Sequence, residues 1–293
     1  MARLRVRITG RAGLKRSVAS TLLVCGLLAH AAIAQSQDSD EPEANPGRPT
    51  VSTPATLTPV GYLQMESGFT GAANSPEFSS RYSFNEVLKL SLTRRLELLT
   101  SAEPVVHFTS EGVTGTRVAE VFVGTQAVFY HGEGAKPTLA ASFFHRAYDG
   151  GAPEFDIGSP ANSFLLLASA DVKGFHYDAN AFFTELDQEP VRRAQYGQSL
   201  TISHPLFKKF NASGEIWHFT QPFLRSNAVG NLWAISYSAR KTLVFDVGFN
   251  HGFTSTSTKW EVFAGFTYLL PHRLWGKKTP RQSNGSPFSQ PGN

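Results

Sequence analysis

Leu243-Val244-Phe245-Asp246-Val247-Gly248-Phe249-Asn250 and, after a polar connection, Trp260-Glu261-Val262-Phe263-Ala264-Gly265-Phe266-Thr267-Tyr268-Leu269-Leu270 both alternate with period two. In the first stretch Leu243, Phe245, Val247 and Phe249 share one face, and Val244, Asp246, Gly248 and Asn250 share the other. In the second, Trp260, Val262, Ala264, Phe266, Tyr268 and Leu270 oppose Glu261, Gly265 and Thr267, with Phe263 and Leu269 interrupting the polar face. Successive side chains of a strand point to opposite faces, so each stretch predicts a β-strand with one greasy and one polar side.

The same rhythm runs back to Tyr62 in about twelve segments. Phe84–Thr93, Ala119–Phe129 and Phe175–Thr184 are clear. Tyr62–Thr70, Leu96–Val106, Thr138–Arg146, Phe164–Val172, Tyr196–Ser203, Phe210–Phe219 and Asn231–Ser238 are weaker, several with apolar residues on both faces. The connections alternate as well. Arg94-Arg95, His131–Pro137, Lys173-Gly174, His204–Lys209 and Ala239–Lys241 are brief. Gly71–Tyr82, Thr109–Thr116, Tyr148–Ala161, Asp187–Ala194, Thr220–Gly230 and Asn250–Thr258 are longer. An even-stranded barrel in an outer membrane needs both features, with tight turns at one rim and long loops at the other. The predicted fold is all-β: a transmembrane antiparallel barrel of about twelve strands spanning residues 60–271, preceded by a cleaved signal peptide. Both termini then sit in the periplasm. Tyr62, Tyr130, Tyr148, Tyr196, Trp217, Trp233, Trp260 and Tyr268 fall mainly towards strand ends, which suits aromatic girdles at the membrane interfaces. A soluble periplasmic β-sandwich that binds a ligand is the alternative fold.

Residues 1–34 form the layout of a secretory signal. Arg3, Arg5, Arg7, Arg11, Lys15 and Arg16 precede an apolar run, Val18–Ile33, which ends at Ala32-Ile33-Ala34. Cys25, the single cysteine, lies in that run, so cleavage leaves no disulfide to hold the fold. Six of the 27 Lys and Arg residues are in the signal, leaving 21 against 23 Asp and Glu beyond it. That balance leaves no basic surplus to suggest nucleic-acid binding. Residues 35–59, acidic at first and rich in proline, read as a flexible periplasmic lead-in, and residues 272–293 as a flexible C-terminal tail.

Arg48-Pro49 followed by Gly61 and Leu63-Gln64-Met65-Glu66-Ser67-Gly68-Phe69 resembles the opening of the phenol-degradation meta-pathway (MetA-pathway) family of outer-membrane β-barrel transporters. About a dozen residues carry the resemblance well and the hairpin rhythm carries it loosely over the rest. It implies an outer-membrane channel for small molecules, including hydrophobic or aromatic ones. Gly265, Tyr268 and Leu270 resemble the last-strand signal read by the barrel-assembly machinery, although such proteins commonly end on that strand and this chain continues.

The polar faces carry Glu66, Lys89, Glu120, Arg146, Asp178, Glu215, Asp246 and Glu261. These are the candidate lining of a lumen. They would set the selectivity of an open channel for a small-molecule solute or, by pairing with one another, close it. An alternative chemistry is a membrane-embedded Ser/His lipid hydrolase built from Ser142 or Ser169 with His107, His145 or His176. A general base must lie within hydrogen-bond reach of its nucleophile, and no spacing in the sequence places these pairs so close. His176 and Asp178 share a strand face, but no third metal ligand accompanies them. The reading is a non-enzymatic barrel in the outer membrane of a Gram-negative-type bacterium, with no cofactor or metal, whose partners are membrane lipid, the assembly machinery and a solute.

Overall fold

Period-two segments joined by tight turns pair as hairpins, and a run of hairpins leaves two unpaired edges that must be covered or joined. The computed structural model describes residues 42–155, 158–188 and 190–275, and there the edges are joined. The expected signal peptide, residues 35–41 and residues 276–293 lie outside the described residues. The strands are β1 (Leu63–Ala73), β2 (Ser80–Thr93), β3 (Leu96–Ser110), β4 (Val113–Arg117), β5 (Val121–Tyr130), β6 (Thr138–Tyr148) and β7 (Ser159–Val172). They continue as β8 (Phe175–Gln188), β9 (Val191–Phe207), β10 (Phe210–Gln221), β11 (Ser226–Arg240), β12 (Leu243–Gly252) and β13 (Trp260–Leu269). Each pairs antiparallel with its sequence neighbour or with the strand beyond it, and β1 closes the sheet against β13 from Gln64↔Leu269 to Ala73↔Trp260.

The wall has twelve staves because β4 and β5 share one. Val106–Ser110 of β3 pairs with β4, and Leu96–Ala102 pairs with β5. Between them Val118–Glu120 leaves the ladder, which carries Glu120 to the lumen side of the wall.

The sidedness of the sheet rules out a sandwich. Val247 and Val262 are 56% and 57% exposed on the outer face, while Gln64 and Thr267 on the inner face are 0% and 1% exposed. Apolar side chains outside and polar ones inside suit a wall between lipid and lumen. In water the same arrangement would leave a large exposed apolar surface. Trp217 departs from the girdle expectation. It shares its face with Glu215, so it points inward and donates to Asn250 Oδ1 at 2.8 Å.

Three expected loops prove to be mostly strand. The segment 109–116 is a hairpin turning at Glu111 and Gly112, both at positive φ (49° and 77°), the geometry of a primed two-residue turn. Strands β8 and β9 approach to Gln188 and Val191, and β10 and β11 to Gln221 and Ser226. Polarity there reflects solvent beyond the membrane. The backbone still meets its hydrogen-bonding needs most economically in the ladder.

Candidate functional site in the barrel lumen

Proline has no N–H, so a proline-rich segment can enter a closed space with fewer donors to satisfy. The segment 42–59 does so, with Pro42, Pro46, Pro49, Pro54 and Pro59, and its path differs from the flexible lead-in expected. It enters at the short-turn rim, where Ala44 N donates to Lys241 O. It then follows the inner wall round most of the barrel. Asn45 N donates to Gln64 Oε1 at 2.8 Å on β1, and Gly47 N to Glu66 Oε1 at 3.0 Å. The Arg48 guanidinium reaches Asp246 on β12 at 3.2 Å. Val51 N and Ser52 N each donate to Glu215 on β10 at 2.7 Å. Thr53 N reaches Asn180 Oδ1 on β8 at 2.6 Å, and Ala55 N reaches Ser169 Oγ on β7 at 2.7 Å. Gln126 on β5 donates to Pro54 O at 3.0 Å, and Thr58 N donates to Glu97 on β3 at 2.9 Å. A segment whose N–H groups at residues 45, 47, 51, 52, 53, 55 and 58 each meet a side chain of the wall is held, and it narrows the lumen at that level.

Two glycines make the slot for Arg48. Gly68 on β1 stands opposite Gly265 on β13, which in turn stands opposite Asp246. The guanidinium lies across this pair. A Cβ on Gly68 would overlap its Nη2, and one on Gly265 would come within 2.7 Å of its Nε.

Towards the long-loop rim the inner face changes character. Phe144, Phe182, Trp217 and Phe219 follow Ser142, Asn180 and Glu215 on the same faces of their strands. The ring centroids of Phe182 and Phe219 are 5.1 Å apart, and those of Trp217 and Phe219 are 6.0 Å apart. Leu57 of the inserted segment, Phe144 and Phe182 pack on Leu165, Leu167, Val128 and Ala140. Phe263, Leu232 and Ala234 continue the apolar layer on the opposite wall. Of these inward aromatics the sequence offers Trp217 as a girdle residue and Phe263 as a break in a polar face, and it does not mark Phe144, Phe182 or Phe219 as inward. They occupy the second face of segments apolar on both sides, and that doubling was the available signal.

At the long-loop rim Arg81, 1% exposed, binds Glu103, donates to Pro153 O at 3.0 Å and lies 4.5 Å over the Phe155 ring. This holds residues 153–155 against the mouth of the barrel. Beside them Glu154 faces Glu120. Burial, then the hydrogen bond and charge of Glu120, hold the Glu154 carboxyl well above the usual range, against the opposing pull of Arg81. Glu154 Oε1 is buried and has no hydrogen-bond partner among the described residues.

The eight candidate lining residues thus divide among four settings. Lys89 pairs with Glu66 at 2.6 Å beside Gly47. Asp246 and Glu215 bind the inserted segment. Asp178 accepts from Ser169 Oγ at 2.5 Å and lies 3.2 Å from His176 Nε2. Glu120, Arg146 and Glu261 lie nearer the long-loop rim. There Arg146 approaches Asp149 and Asp187 at 3.4 and 3.7 Å, and Glu261 accepts from Asn250 at 2.7 Å. Gln64, Glu97, Gln126, Ser169 and Asn180 were missed as anchors because their partner segment read as solvent-exposed.

Comparison with solved structures places this geometry. The COG4313 outer membrane channel from Pseudomonas putida F1 is similar over 80% of this chain and 100% of its own, at 13% identity and TM-score 0.55. The fold is that of an outer-membrane barrel. The NanC porin aligns over 71% of this chain and 100% of its own at 8% identity and TM-score 0.49. The CymD monoaromatic hydrocarbon channel aligns over 73% and 90% at 9% identity and TM-score 0.43. No family model and no curated protein matches the chain.

Within this barrel the proposed nucleophiles and bases do not meet. Ser142 Oγ donates to Gln126, His145 bonds Asn162 and His107 bonds Thr116. Ser169 and His176 both contact Asp178, so a carboxylate stands where a base should hold the nucleophile. Among the described residues no group of three or more His, Cys, Asp or Glu is arranged to hold a metal ion.

Proposed function

We propose that this barrel is a non-enzymatic channel of the outer membrane for small apolar or aromatic molecules, of the phenol-degradation meta-pathway kind. Residues 1–34 direct secretion, and the last strand, through Gly265, Tyr268 and the adjoining Leu270, is read by the assembly machinery. The observation that carries the solute class is the inward layer of Phe144, Phe182, Trp217 and Phe219 above a polar level narrowed by residues 44–58. A hydrated ion gains nothing from such a layer, whereas a flat apolar solute exchanges water for aromatic faces. The eight charged candidates line the levels on either side. Glu66, Glu215 and Asp246 hold the inserted segment, Lys89 and Asp178 back it through Glu66 and Ser169, and Glu120, Arg146 and Glu261 present charge nearer the outer mouth.

The test is uptake into proteoliposomes of phenol against a sugar of similar size. Phenol should enter several-fold faster than through protein-free vesicles, and the sugar at the background rate. Phe182→Asp with Phe219→Asp should remove the difference while the barrel remains folded by its heat-modifiable gel shift. Equal entry of both solutes, or a rate untouched by the double change, would reject the aromatic layer as the selective element.

A further inference from the structure

The short-turn rim carries a charge pattern that transport does not use. Four of its turns are two residues long: Arg94-Arg95, Lys173-Gly174, Lys208-Lys209 and Lys241-Thr242, the last preceded by Arg240. All seven cations are exposed, and none of these turns contains a carboxylate. The remaining turn, His131–Pro137, sets Lys136 against Glu133. Of the acids close in sequence to these turns, Asp171 lies 2.8 Å from His176 Nδ1 and Glu97 accepts from Thr58 N and Ser91 Oγ. At the opposite rim Arg146 and Arg192 approach Asp149, Glu185 and Asp187, and Arg117 and Arg193 donate to backbone carbonyls.

The cations also stand at a defined height. Phe175 follows Lys173-Gly174 directly, and Phe207 directly precedes Lys208-Lys209. Phe207, Phe210 and Tyr237 form a ladder of rings with centroids 4.9 and 4.8 Å apart on the outer face. Phe175, Phe207 and Tyr237 are exposed. Exposed aromatics at the end of an apolar belt mark the membrane–water boundary. Lys173, Lys208, Lys209, Arg240 and Lys241 stand one to four residues from these aromatics, within the reach of a long side chain whose charge sits at the level of lipid phosphates.

We propose that this rim is a collar that binds the anionic phosphate headgroups of phospholipids in the periplasm-facing leaflet. A docked acidic protein would need cations gathered on one side. Here they recur at the β2–β3, β7–β8, β9–β10 and β11–β12 turns, spread along the wall, which matches a partner that surrounds the barrel. Attraction of this kind accumulates over several cations and falls with salt.

The experiment uses the chain from Gln35 to Asn293 folded in phosphatidylcholine vesicles, with trace spin-labelled phosphatidylglycerol or phosphatidylcholine reporting the lipid in contact with protein. Phosphatidylglycerol should be preferred at least about threefold at low salt, and the preference should shrink in high salt. The substitutions Lys173→Asn, Lys208→Asn, Lys209→Gln, Arg240→Gln and Lys241→Gln together should bring the preference close to one. Asn suits positions 173 and 208 because both sit at positive φ, 52° and 47°. Should the fivefold variant fail to fold, Lys208→Asn with Lys209→Gln alone should still lose a measurable part of the preference. Arg192→Gln with Arg193→Gln on the other rim should leave it intact. Equal association of the two lipids with the unaltered protein would overturn the proposal, as would a preference that survives loss of the rim cations. An acidic soluble partner would then be the better reading of the rim.

Discussion

Gly68 and Gly265 are where a single hydrogen atom in place of a methyl group decides what the lumen holds. Both residues are in strands, where glycine is unfavourable unless something must pass close to the backbone. Here the passing group is the Arg48 guanidinium, held over them to meet Asp246. Gly68→Ala should drive Arg48 off its seat and leave Asp246, whose side chain is 3% exposed, without its cation. Separating a buried ion pair destabilises by about 3 kcal/mol, and a lower melting temperature on heat-modifiable gels would register it. The double change Gly68→Ala with Arg48→Ala should not lower it much further, because the clash and the pair are one interaction. Additive losses would show that Gly68 acts independently of Arg48. In the sequence Gly68 stands in the stretch that carries the family resemblance and Gly265 in the last-strand signal. Arg48 as their reason could not be read there, since nothing local links position 48 to positions 68, 246 and 265.

Among the connecting elements, the stretch at 153–155 is the one whose seating depends on a proton. Its Glu154 shares a buried contact with Glu120, near Arg81 and Glu103, and its carboxyl is raised from 4.5 in the folded protein. A raised acid binds its proton more tightly folded than unfolded. The docking energy is therefore fully present below about pH 4.5 and declines as pH climbs from there through the folded value. Hydrogen exchange at 153–155 should accelerate as pH rises, after correction for the intrinsic base-catalysed rate. Glu154→Gln, which donates a hydrogen bond at every pH, should flatten that dependence. An unchanged slope in the variant would exclude Glu154 as its source. The elements themselves were legible in unequal degree. β12 and β13 stand where their alternation put them. The hairpin at Glu111-Gly112 hid behind polar residues, because composition reports solvent and the ladder reports backbone pairing, and above the membrane the two diverge.

For the molecule as a whole, the wall and its inserted segment are separable. Closure rests on the β1–β13 ladder, which uses none of residues 44–58. Deletion of that segment should therefore leave a folded barrel in which water reaches Glu66, Glu97, Glu215 and Asp246 and hydrates them. Planar-bilayer recording should then show larger conductance steps than the intact chain and a reversal potential favouring cations, since these carboxylates outnumber Lys89. Unaltered conductance would mean that the inserted segment does not limit the pore. The twelve-stave wall, its apolar outside and its polar inside were present in the chain as period two and short-turn spacing, because strand pairing between neighbours is local and sidedness repeats every second residue. What residues 42–59 do was not. Their polarity and prolines describe equally a tether in water and a cord in a polar cavity. The choice belongs to Gln64, Asp246, Glu215, Asn180, Ser169 and Glu97, six wall residues on different strands that meet the segment only when the barrel closes around it.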